Sequence, residues 1–375
     1  MKLSRKKKKI IVSVISDLIT DQRVHKVCTY FHQNGYDVTL IGRCFKNSFP
    51  LKQRTYKTTR ILCHFKNGIA QYVEFNIKLF IKLTFTRANI FLSNDLDTLT
   101  PNFIQAKLRG KDLIYDSHEY FTGTPELLQK PLKRKFWKTM EKALLPNIKY
   151  LFTVNNSIAD RYSNELKVKM KVLRNLPYLN INESSNVEVH FPSSKFILLL
   201  QGAGINTDRG AEELIDSMTF LSSNFLLILI GSGNAWEILK KKTGDLNLNE
   251  KVWFIEKVPF DALRSYTRQA HLGLSLDKPN CLNYELSLPN KIFDYIHAGI
   301  PVLASPIKEV KNIIDEYDIG MYIDEVSPRK IADAVQWIYE NPSNYKKWKD
   351  NTKKAATELC WEKEQHQLDG LLNAL

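Results

Sequence analysis

Three segments in the second half of the sequence carry residues that suit a negatively charged ligand. Gly202-Ala203-Gly204 follows an apolar run typical of a strand, and Arg209 precedes the next helical pattern. Gly231-Ser232-Gly233 follows a second such run, and Lys291 and Asp294 lie in the first turn of a later predicted helix. Glycine loops expose backbone N–H groups, two cations neutralise a diphosphate, and a carboxylate accepts hydrogen bonds from ribose hydroxyls. Taken singly, each segment is equally well explained as a tight turn or a surface ion pair, but together they indicate a nucleotide site.

The order of these residues resembles the donor-binding domain of family 4 glycosyltransferases. Pro289-Asn290-Lys291 and the run Ala298-Gly299-Ile300-Pro301-Val302 complete the pattern, which is strongest over residues 195–305. The resemblance implies a set of donor-binding residues, of which Arg209 and Lys291 also act in catalysis: Gly202, Gly204, Arg209, Gly231, Gly233, Glu285, Asn290, Lys291 and Asp294. Many members have a second acid at the position of Leu286, one place after Glu285. Either the loop is shifted by one residue here, or the donor sugar is contacted differently.

The first half of the chain carries polar residues where the same family has its acceptor-side loops. These are Asp21, Arg23 and Asn175, together with His118 and Glu119, which follow a predicted strand. His118 is placed to hydrogen-bond a sugar hydroxyl or to donate a proton to the leaving phosphate. Glu119 would orient His118 or act on the acceptor. The alternative for His118 is an ordinary structural histidine.

Asp95 and Asp97 form an Asp-x-Asp pair after another predicted strand. That pattern is the metal site of a different glycosyltransferase class, which has the GT-A fold. The competing interpretation is that Asp97 caps a helix beginning at Thr98. We favour the cap, because the second half has its own phosphate loops, and we expect neither a metal nor another cofactor. Arg209, Lys291 and helix dipoles would neutralise the diphosphate instead.

Positioning these residues requires two similar α/β arrangements. In each half, short apolar strands alternate with helix-period segments, which favours parallel sheets with right-handed crossovers. The first half is predicted to contain a helix at Asp21–Asn34 and strands at Ile10–Ile15, Val38–Ile41, Ile90–Leu92, Leu113–Tyr115 and Tyr150–Val154. The second half is predicted to contain strands at Phe196–Leu200, Phe225–Ile230, Val252–Ile255, Leu272–Leu274 and Pro301–Leu303. Its predicted helices are Ala211–Phe220, Ala235–Lys242, Phe260–Arg268, Lys291–Ala298, Val310–Asp315 and Arg329–Tyr339.

We therefore expect an α/β protein of the GT-B fold, with two Rossmann-like doubly wound domains facing a central cleft. Residues 1–185 would form the acceptor-side domain, and residues 195–345 would form the nucleotide-sugar donor domain. The polar stretch 180–194 is the expected linker. Residues 346–375 are expected to form a helical tail that docks back on the first domain.

The charge of the chain is unevenly distributed. The 375 residues include 54 basic and 40 acidic side chains, and residues 1–190 hold 33 of the basic and 15 of the acidic ones. Such an asymmetry indicates an anionic partner for the first half. Five scattered cysteines form no C-x-x-C pair, which argues against a disulfide framework or a zinc knuckle and favours a reducing compartment. No apolar run approaches the ~18 residues needed to span a bilayer, and the apolar part of the basic start is too short for a signal peptide.

Two basic segments in the first half combine cations with apolar and aromatic residues. Ile69–Arg87 places Lys78, Lys82 and Arg87 among large apolar side chains that include Phe75, Ile77, Leu79, Phe80, Ile81, Leu83 and Phe85. Lys130–Lys149 is dense in cations. Helices of this kind are typical of membrane surfaces. For Ile69–Arg87 we favour one core face and one solvated face. For Lys130–Lys149 we predict contact with an anionic membrane.

The residues and the resemblance together predict a hexosyltransferase that moves a sugar from a nucleotide diphosphate sugar to a glycan or lipid-linked acceptor in cell-surface polysaccharide synthesis. The resemblance implies retention at the anomeric carbon without a metal. The enzyme would be cytoplasmic and peripheral on the inner face of the membrane. One alternative is a GT-B-fold nucleotide-sugar epimerase, and another is a basic nucleic-acid-binding or membrane-binding protein without catalysis. The sequence shows no nucleic-acid recognition motif, so nucleic acid is not an expected partner.

Overall fold

The computed structural model describes residues 7–19, 21–179 and 190–375, and it divides into two compact units. The first unit comprises residues up to Asn175 together with Gln365–Leu375, and the second comprises Leu176–Glu364. Most of the basic start (residues 2–6) and most of the expected linker (residues 180–189) lie outside the described residues.

The described part of the first unit contains a parallel sheet of seven strands. The strands are β1 (Lys9–Ser13), β2 (Asp37–Cys44), β3 (Lys57–Leu62), β4 (Ile90–Asn94), β5 (Asp112–Ser117), β6 (Tyr150–Thr153) and β7 (Lys171–Val172). Their order across the sheet is β3-β2-β1-β4-β5-β6-β7. The connecting helices are α1 (Gln22–Gln33), α2 (Gly68–Thr84), α3 (Leu99–Arg109), α4 (Pro125–Leu128), α5 (Pro131–Leu144) and α6 (Asn156–Leu166).

The second unit, where described, contains a parallel sheet of six strands. These are β8 (Phe196–Gly202), β9 (Phe225–Gly231), β10 (Val252–Glu256), β11 (Leu272–Ser275), β12 (Val302–Ala304) and β13 (Gly320–Tyr322), in the order β10-β9-β8-β11-β12-β13. The helices are α7 (Ala211–Ser217), α8 (Trp236–Asp245), α9 (Phe260–Thr267), α10 (Leu282–Glu285), α11 (Lys291–Ala298), α12 (Lys308–Tyr317), α13 (Pro328–Glu340), α14 (Pro342–Glu358) and α15 (Trp361–Glu364).

Both faces of the second sheet are covered, because neighbouring residues of its central strands point into different apolar clusters. Leu227 and Leu229 of β9 pack on one face, and Ile228 and Ile230 pack on the other. A strand buried on both faces needs a continuous apolar sequence rather than an alternating one. This requirement explains why the run Phe225–Ile230 predicted its strand so directly.

The last residues of the chain belong to the first unit. After α15 a short 3-10 turn leads into α16 (Asp369–Ala374). The hydroxyl of Tyr30 donates to the carboxylate of Asp369, and the hydroxyl of Tyr150 donates to the carbonyl of Ala374 at 3.2 Å. Of the predicted tail, residues 346–364 therefore belong to the second unit and Gln365–Leu375 belongs to the first.

The order of strands reverses beside the first strand of each sheet, between β1 and β4 and between β8 and β11. The loops that leave these strands diverge, and this switch point is where open α/β sheets bind ligands. In the second unit, β8 ends at Gly202 and β11 ends at Ser275. Two parallel, doubly wound sheets confirm the expected Rossmann-like architecture of each half.

The predicted strands and helices are all present, with boundaries that differ by a few residues, but three strands were missed. They are β3, β7 and β13, each of which lies at an edge of its sheet. β3 carries the half-exposed sequence Lys-Thr-Thr-Arg-Ile-Leu, and the other two are three residues long or shorter. Edge strands bury little apolar surface, so their sequences lack the apolar run on which the prediction depended.

Candidate functional site

A buried carboxylate in the second unit joins the two cations that were predicted to bind phosphate. Asp277 lies just after β11; its Oδ2 is 2.9 Å from Nζ of Lys291 and its Oδ1 is 3.1 Å from an Nη of Arg209. Burial would raise the pKa of Asp277, but the two cations outweigh burial and hold that pKa below its ordinary value. Two cations that share one carboxylate keep a net positive charge, so the cluster is ordered and still attracts an anion.

Arg209 is held by an aromatic ring and retains an unused donor. Its guanidinium carbon lies 4.4 Å from the ring centroid of Tyr284, a cation–π contact. Its Nε is buried and has no hydrogen-bond partner among the described residues. A buried donor without an acceptor costs free energy. An anionic oxygen bound at this position would remove that cost.

The four glycines predicted to contact the donor divide into two pairs. A Cβ on Gly231 would lie 1.9 Å from the carbonyl oxygen of Gly202, and one on Gly233 would lie 2.1 Å from that of Ile205. Gly231 and Gly233 are therefore needed for packing between neighbouring loops, which is the structural alternative stated for them. Around Gly202 and Gly204, a Cβ would meet no atom nearer than 3.5 Å. An alanine side chain would therefore fit at either position in ordinary van der Waals contact.

Asp294, the predicted ribose acceptor, is oriented by a chain of hydrogen bonds. Its Oδ2 accepts from Nε2 of Gln201 at 3.1 Å, and Oε1 of Gln201 accepts from the hydroxyl of Thr267 at 2.7 Å. Gln201 is the next-to-last residue of β8, so this chain fixes the carboxylate near the switch point. Contact with a ribose stays a prediction.

Glu285, Leu286 and Asn290 lie in the segment of the chain between Asp277 and Lys291. Glu285 is exposed at the end of the short helix α10, Leu286 is half-buried, and Asn290 is exposed directly before α11. The side chain of Glu285 is thus accessible to a ligand. Its contact with the donor sugar stays a prediction, as does that of Asn290.

In the first unit, His118 lies in a cage of acidic and amide side chains at the ends of β4 and β5. Its Nδ1 is 3.2 Å from Oδ2 of Asp95, and its Nε2 is 3.1 Å from Oδ1 of Asn94 and 3.6 Å from Oδ2 of Asp116. Burial lowers the pKa of His118, but Asp95 and Asp116 outweigh it and raise the pKa to about 9. His118 is therefore an imidazolium at neutral pH. Its role at a sugar, and that of Glu119, stay predictions.

Two of the three predicted acceptor-side residues have structural partners. Arg23 is buried and makes a two-point contact with Asp116, from Nε at 3.0 Å and from an Nη at 2.6 Å. Asp21 caps α1 by accepting from the backbone N–H of Val24 at 3.1 Å. Asn175 has a buried Oδ1 that lacks a hydrogen-bond partner among the described residues. Their contacts with an acceptor stay predictions.

The expectation that Asp97 caps a helix is wrong. Asp97 lies inside a 3-10 turn, Leu96–Thr98, and its side chain makes no capping bond to that turn or to α3. It is buried instead, and burial, reinforced by Asp95, raises its pKa well above the ordinary value. Asp95 itself has a φ of 57° and a ψ of 171°, a conformation found almost only in glycine. Within the described residues, no group of three or more His, Cys, Asp or Glu side chains could hold a metal ion.

Helix α2 has the expected core face and solvated face, but its solvated face is apolar. Phe75, Leu79 and Leu83 are buried as expected. The opposite face carries an aliphatic residue at every fourth position: Ile69, Val73, Ile77 and Ile81. Each of these residues is at least half exposed. A helix that is apolar on two faces needs a second apolar contact. None of the described helices is long and apolar enough to cross a membrane.

A groove of about 860 Å³ lies between α2 and α5 in the first unit. We call it the α2–α5 groove. Ile69 and Val73 line one side, and Leu132 and Phe136 line the other. Glu119, from the loop after β5, also lines it. The groove thus connects the predicted acceptor loop with the exposed apolar stripe.

Comparison with known families relates the second half of the chain to glycosyltransferases. Residues 184–355, just under half of the chain, match the family model described as glycosyl transferases group 1. This half therefore carries a group 1 glycosyltransferase domain. An uncharacterized glycosyltransferase of Methanocaldococcus jannaschii is 23% identical over an alignment of 305 residues, and the alignment covers 77% of this chain and 74% of that protein.

Solved structures place this glycosyltransferase in the GT-B fold. A sucrose-phosphate synthase from Thermosynechococcus elongatus has a TM-score of 0.78 at 14% identity and covers 98% of this chain and 99% of its own. Anabaena HepE, solved in complex with UDP and glucose, has a TM-score of 0.74 at 14% identity and covers 98% and 100%. Likeness at this identity shows the fold, which confirms the predicted class.

Two residues of the candidate site were missed from the sequence. Asp277 follows the buried strand β11 closely, and a carboxylate at that place in a parallel sheet is a signal that could have been used. Gln201 is the single polar side chain of the apolar strand β8, which is a weaker signal than the carboxylate of Asp277. The family pattern includes Arg209 and Lys291 but not Asp277, the carboxylate that contacts both of them.

Proposed function

We propose that this glycosyltransferase binds a nucleotide diphosphate sugar in its second unit and transfers the sugar to a glycan or lipid-linked acceptor. The Lys291–Asp277–Arg209 cluster carries the proposal. It presents two cations beside the glycine loop after β8, at the switch point of the sheet. The complex of HepE with UDP and glucose supports a uridine nucleotide as the first donor to test.

The proposed chemistry uses the cations of the chain to stabilise the leaving diphosphate. As the bond between the sugar and the phosphate breaks, negative charge grows on the phosphate oxygens, and Lys291 and Arg209 would stabilise that charge. From the family resemblance we also propose that the transfer proceeds with retention and does not require a divalent metal. Full activity in the presence of a chelator, together with a product of unchanged anomeric configuration, would support this proposal.

Donor binding is tested by thermal unfolding with nucleoside diphosphates and nucleotide sugars, because a ligand that binds the folded state raises the unfolding temperature. Lys291→Ala should abolish the shift and the transfer activity. Lys308→Ala is the matched control, because Lys308 is an exposed lysine at the first position of α12 in the same unit. Equal shifts in the two variants would remove Lys291 from the site. An isomer formed from donor alone would indicate an epimerase instead.

We also propose that the first unit binds the cytoplasmic face of an anionic membrane, where the enzyme would act in cell-surface polysaccharide synthesis. The exposed aliphatic stripe of α2 and the cations of α5 support this proposal, since an apolar face bordered by cations suits an interface of acyl chains and anionic headgroups. Lys130 and Lys135 are exposed and have no ion-pair partner among the described residues.

Sedimentation with lipid vesicles tests the membrane proposal. The protein should bind phosphatidylglycerol vesicles more tightly than phosphatidylcholine vesicles, and replacement of Lys130, Lys133 and Lys135 by serine should weaken that binding. Replacement of the exposed lysines Lys346, Lys347 and Lys353 of α14 is the control. Equal binding by both triple variants would contradict the proposal, as would preferential binding to nucleic acid.

A further inference from the structure

We propose that Asp95 is a positioning residue for sugar transfer: its strained backbone turns the carboxylate onto His118, which then presents a single N–H, the one on Nε2, to a substrate oxygen. This role rests on the proposed sugar transfer and on the predicted part of His118 in it. It also gives the first acid of the Asp-x-Asp pair a purpose other than metal binding or helix capping.

The backbone of Asp95 has a conformation that is costly for any residue except glycine. Its φ is 57° and its ψ is 171°. The backbone N–H of Asp95 donates to the carbonyl of Asp116 at 2.9 Å, and its carbonyl accepts from the Ser93 hydroxyl at 3.4 Å. Its carboxylate accepts from the backbone N–H of His118 at 2.8 Å. These contacts enforce the strain, and strain that is enforced in this way is typical of functional sites.

The hydrogen bonds around the ring of His118 require a proton on both nitrogens. Nδ1 lies 3.2 Å from Oδ2 of Asp95, and a carboxylate only accepts. Nε2 lies 3.1 Å from Oδ1 of Asn94, whose Nδ2 donates to the carbonyl of Ser13 at 3.0 Å. The atom of Asn94 that faces the ring is therefore its oxygen, which also only accepts. A ring that carries both N–H groups is a cation and a donor, so it cannot act as a general base.

Asp95 is the carboxylate that holds this positive charge. The charged groups around His118 include Asp95 after β4, Asp116 on β5 and Arg23 on α1. Arg23 contacts both oxygens of Asp116, at 3.0 and 2.6 Å, and largely neutralises it. Burial raises the pKa of Asp97 and so reduces its charge. Among the described residues, Asp95 forms an ion pair with His118 alone. Burial lowers the pKa of His118, and the next largest influence, the charge of Asp95, raises it.

The two N–H groups of His118 differ in how easily a substrate can take them. Nδ1–H is held by the carboxylate of Asp95, whereas Nε2–H is held by the neutral amide of Asn94. Asp116 lies 3.6 Å from Nε2, which is too far for a direct hydrogen bond. A charged phosphate oxygen accepts a hydrogen bond more strongly than an amide does, so it can displace Asn94. The side chain of His118 is 21% exposed, so the ring is accessible to such an oxygen.

The pH dependence of transfer by Asp95→Asn tests the role of the charge. The amide keeps an oxygen for the backbone N–H of His118 but no longer stabilises the imidazolium. We expect kcat to fall at least threefold at pH 8.5, with little change in the KM of the donor. The loss should shrink as the pH is lowered to 6, because acid restores the imidazolium. An equal loss at every pH is what a merely structural role would produce, and it would overturn the proposal.

Two further variants test the strain. Asp95→Gly and Asp95→Ala both remove the carboxylate, but only glycine adopts the observed backbone conformation at no steric cost. Asp95→Gly should therefore unfold at a higher temperature than Asp95→Ala, although glycine ordinarily makes a chain less stable than alanine. Lys167→Gly is the matched control, because Lys167 is an exposed residue of the same unit with a φ of 57° and an ordinary left-handed ψ of 30°. It should leave kcat and its pH dependence unchanged. An Asp95→Ala variant as stable as Asp95→Gly would overturn the strain.

The state of the His118 ring can be measured without any transfer. Nitrogen NMR at pH 8.5 should show both ring nitrogens protonated in most wild-type molecules and only one in most Asp95→Asn molecules. A mostly neutral ring in the wild-type protein would overturn the proposal whatever its activity. Absence of transfer by a wild-type protein whose ring is charged would instead contradict the proposed function.

Discussion

Lys291 and Asp277 form a close ion pair in the second unit, with 2.9 Å between Nζ and Oδ2, although 14 positions separate them along the chain. The pair shares its carboxylate with Arg209. Asp277 therefore sets the spacing of the two cations before any diphosphate arrives. In this arrangement the lysine and the arginine are ordered in advance, which reduces the reorganisation needed when negative charge develops on the leaving group.

Asp277→Asn is expected to lower kcat at least tenfold without weakening the affinity for UDP. The amide keeps the size of the side chain but removes the charge, so the cluster becomes more positive while the cations lose their fixed spacing. Removing one partner of a buried ion pair should also lower the free energy of unfolding by roughly 3–5 kcal/mol. Calorimetry with UDP, steady-state kinetics and urea unfolding measure the three effects. Asp324→Asn, at an exposed carboxylate of the same unit, should change none of them.

The two pairs of glycines should respond differently to alanine. Gly231→Ala drives a Cβ to within 1.9 Å of the Gly202 carbonyl oxygen and should lower the unfolding temperature sharply. Gly204→Ala finds no atom nearer than 3.5 Å, so the fold should tolerate it. If the space beside Gly204 is where the donor lies, the variant should bind UDP more weakly while its unfolding temperature in the absence of ligand stays unchanged. Equal stability of the two variants would contradict this division.

His118 is expected to titrate near pH 9 rather than near 6.5. Burial lowers its pKa, but the carboxylates of Asp95 and Asp116 raise it by more. The histidine ring signals in an NMR titration, assigned with a His118→Asn variant, measure this pKa directly. Asp95→Asn should move it down by more than one unit, because it removes the carboxylate that lies 3.2 Å from Nδ1. A transition near pH 6.5 in the wild-type protein would show that the cage does not hold the imidazolium.

The sequence predicted the elements that bury continuous apolar runs, and it located the four glycines at and just after the ends of β8 and β9. It did not reveal how those side chains are paired. Asp277 contacts Lys291 and Arg209 only because β8 and β11 are neighbours in the sheet, and the order of strands is not written in any local pattern. The glycine pairs could not be separated for the same reason, since the atoms that exclude a Cβ belong to another loop.

The apolar character of the solvated face of α2 was not foreseen for a different reason. Phe75 and Leu79 are buried, whereas Ile77 and Ile81 are exposed. Hydrophobic periodicity identifies apolar faces but does not say which of two faces meets the sheet. Likewise, the capping prediction for Asp97 failed because the turn before α3 buries that side chain.

Glu141 should make the stability of the protein depend on pH. Its carboxyl group is buried on α5, where Oε2 accepts from the Thr122 hydroxyl and Oε1 from the Tyr162 hydroxyl, both at 3.0 Å. Burial raises its pKa to about 7, although these hydrogen bonds and Lys138 act in the opposite direction. A folded-state pKa above the unfolded value means that the stabilising contribution is complete below about pH 4.5 and is lost as the pH rises through 7.

A shift of this size corresponds to about 3 kcal/mol, so the free energy of unfolding should fall by that order between pH 4.5 and pH 8 on account of Glu141 alone. Glu141→Gln removes the titration. The free energy of unfolding of this variant, relative to that of the wild type, should therefore be higher at pH 8 than at pH 5. Urea unfolding of both proteins across this range measures the difference. Other titrating groups act on both proteins alike, so they cancel. Glu237→Gln, at an exposed carboxylate, should follow the wild type at every pH, and parallel curves for wild type and Glu141→Gln would contradict the assignment.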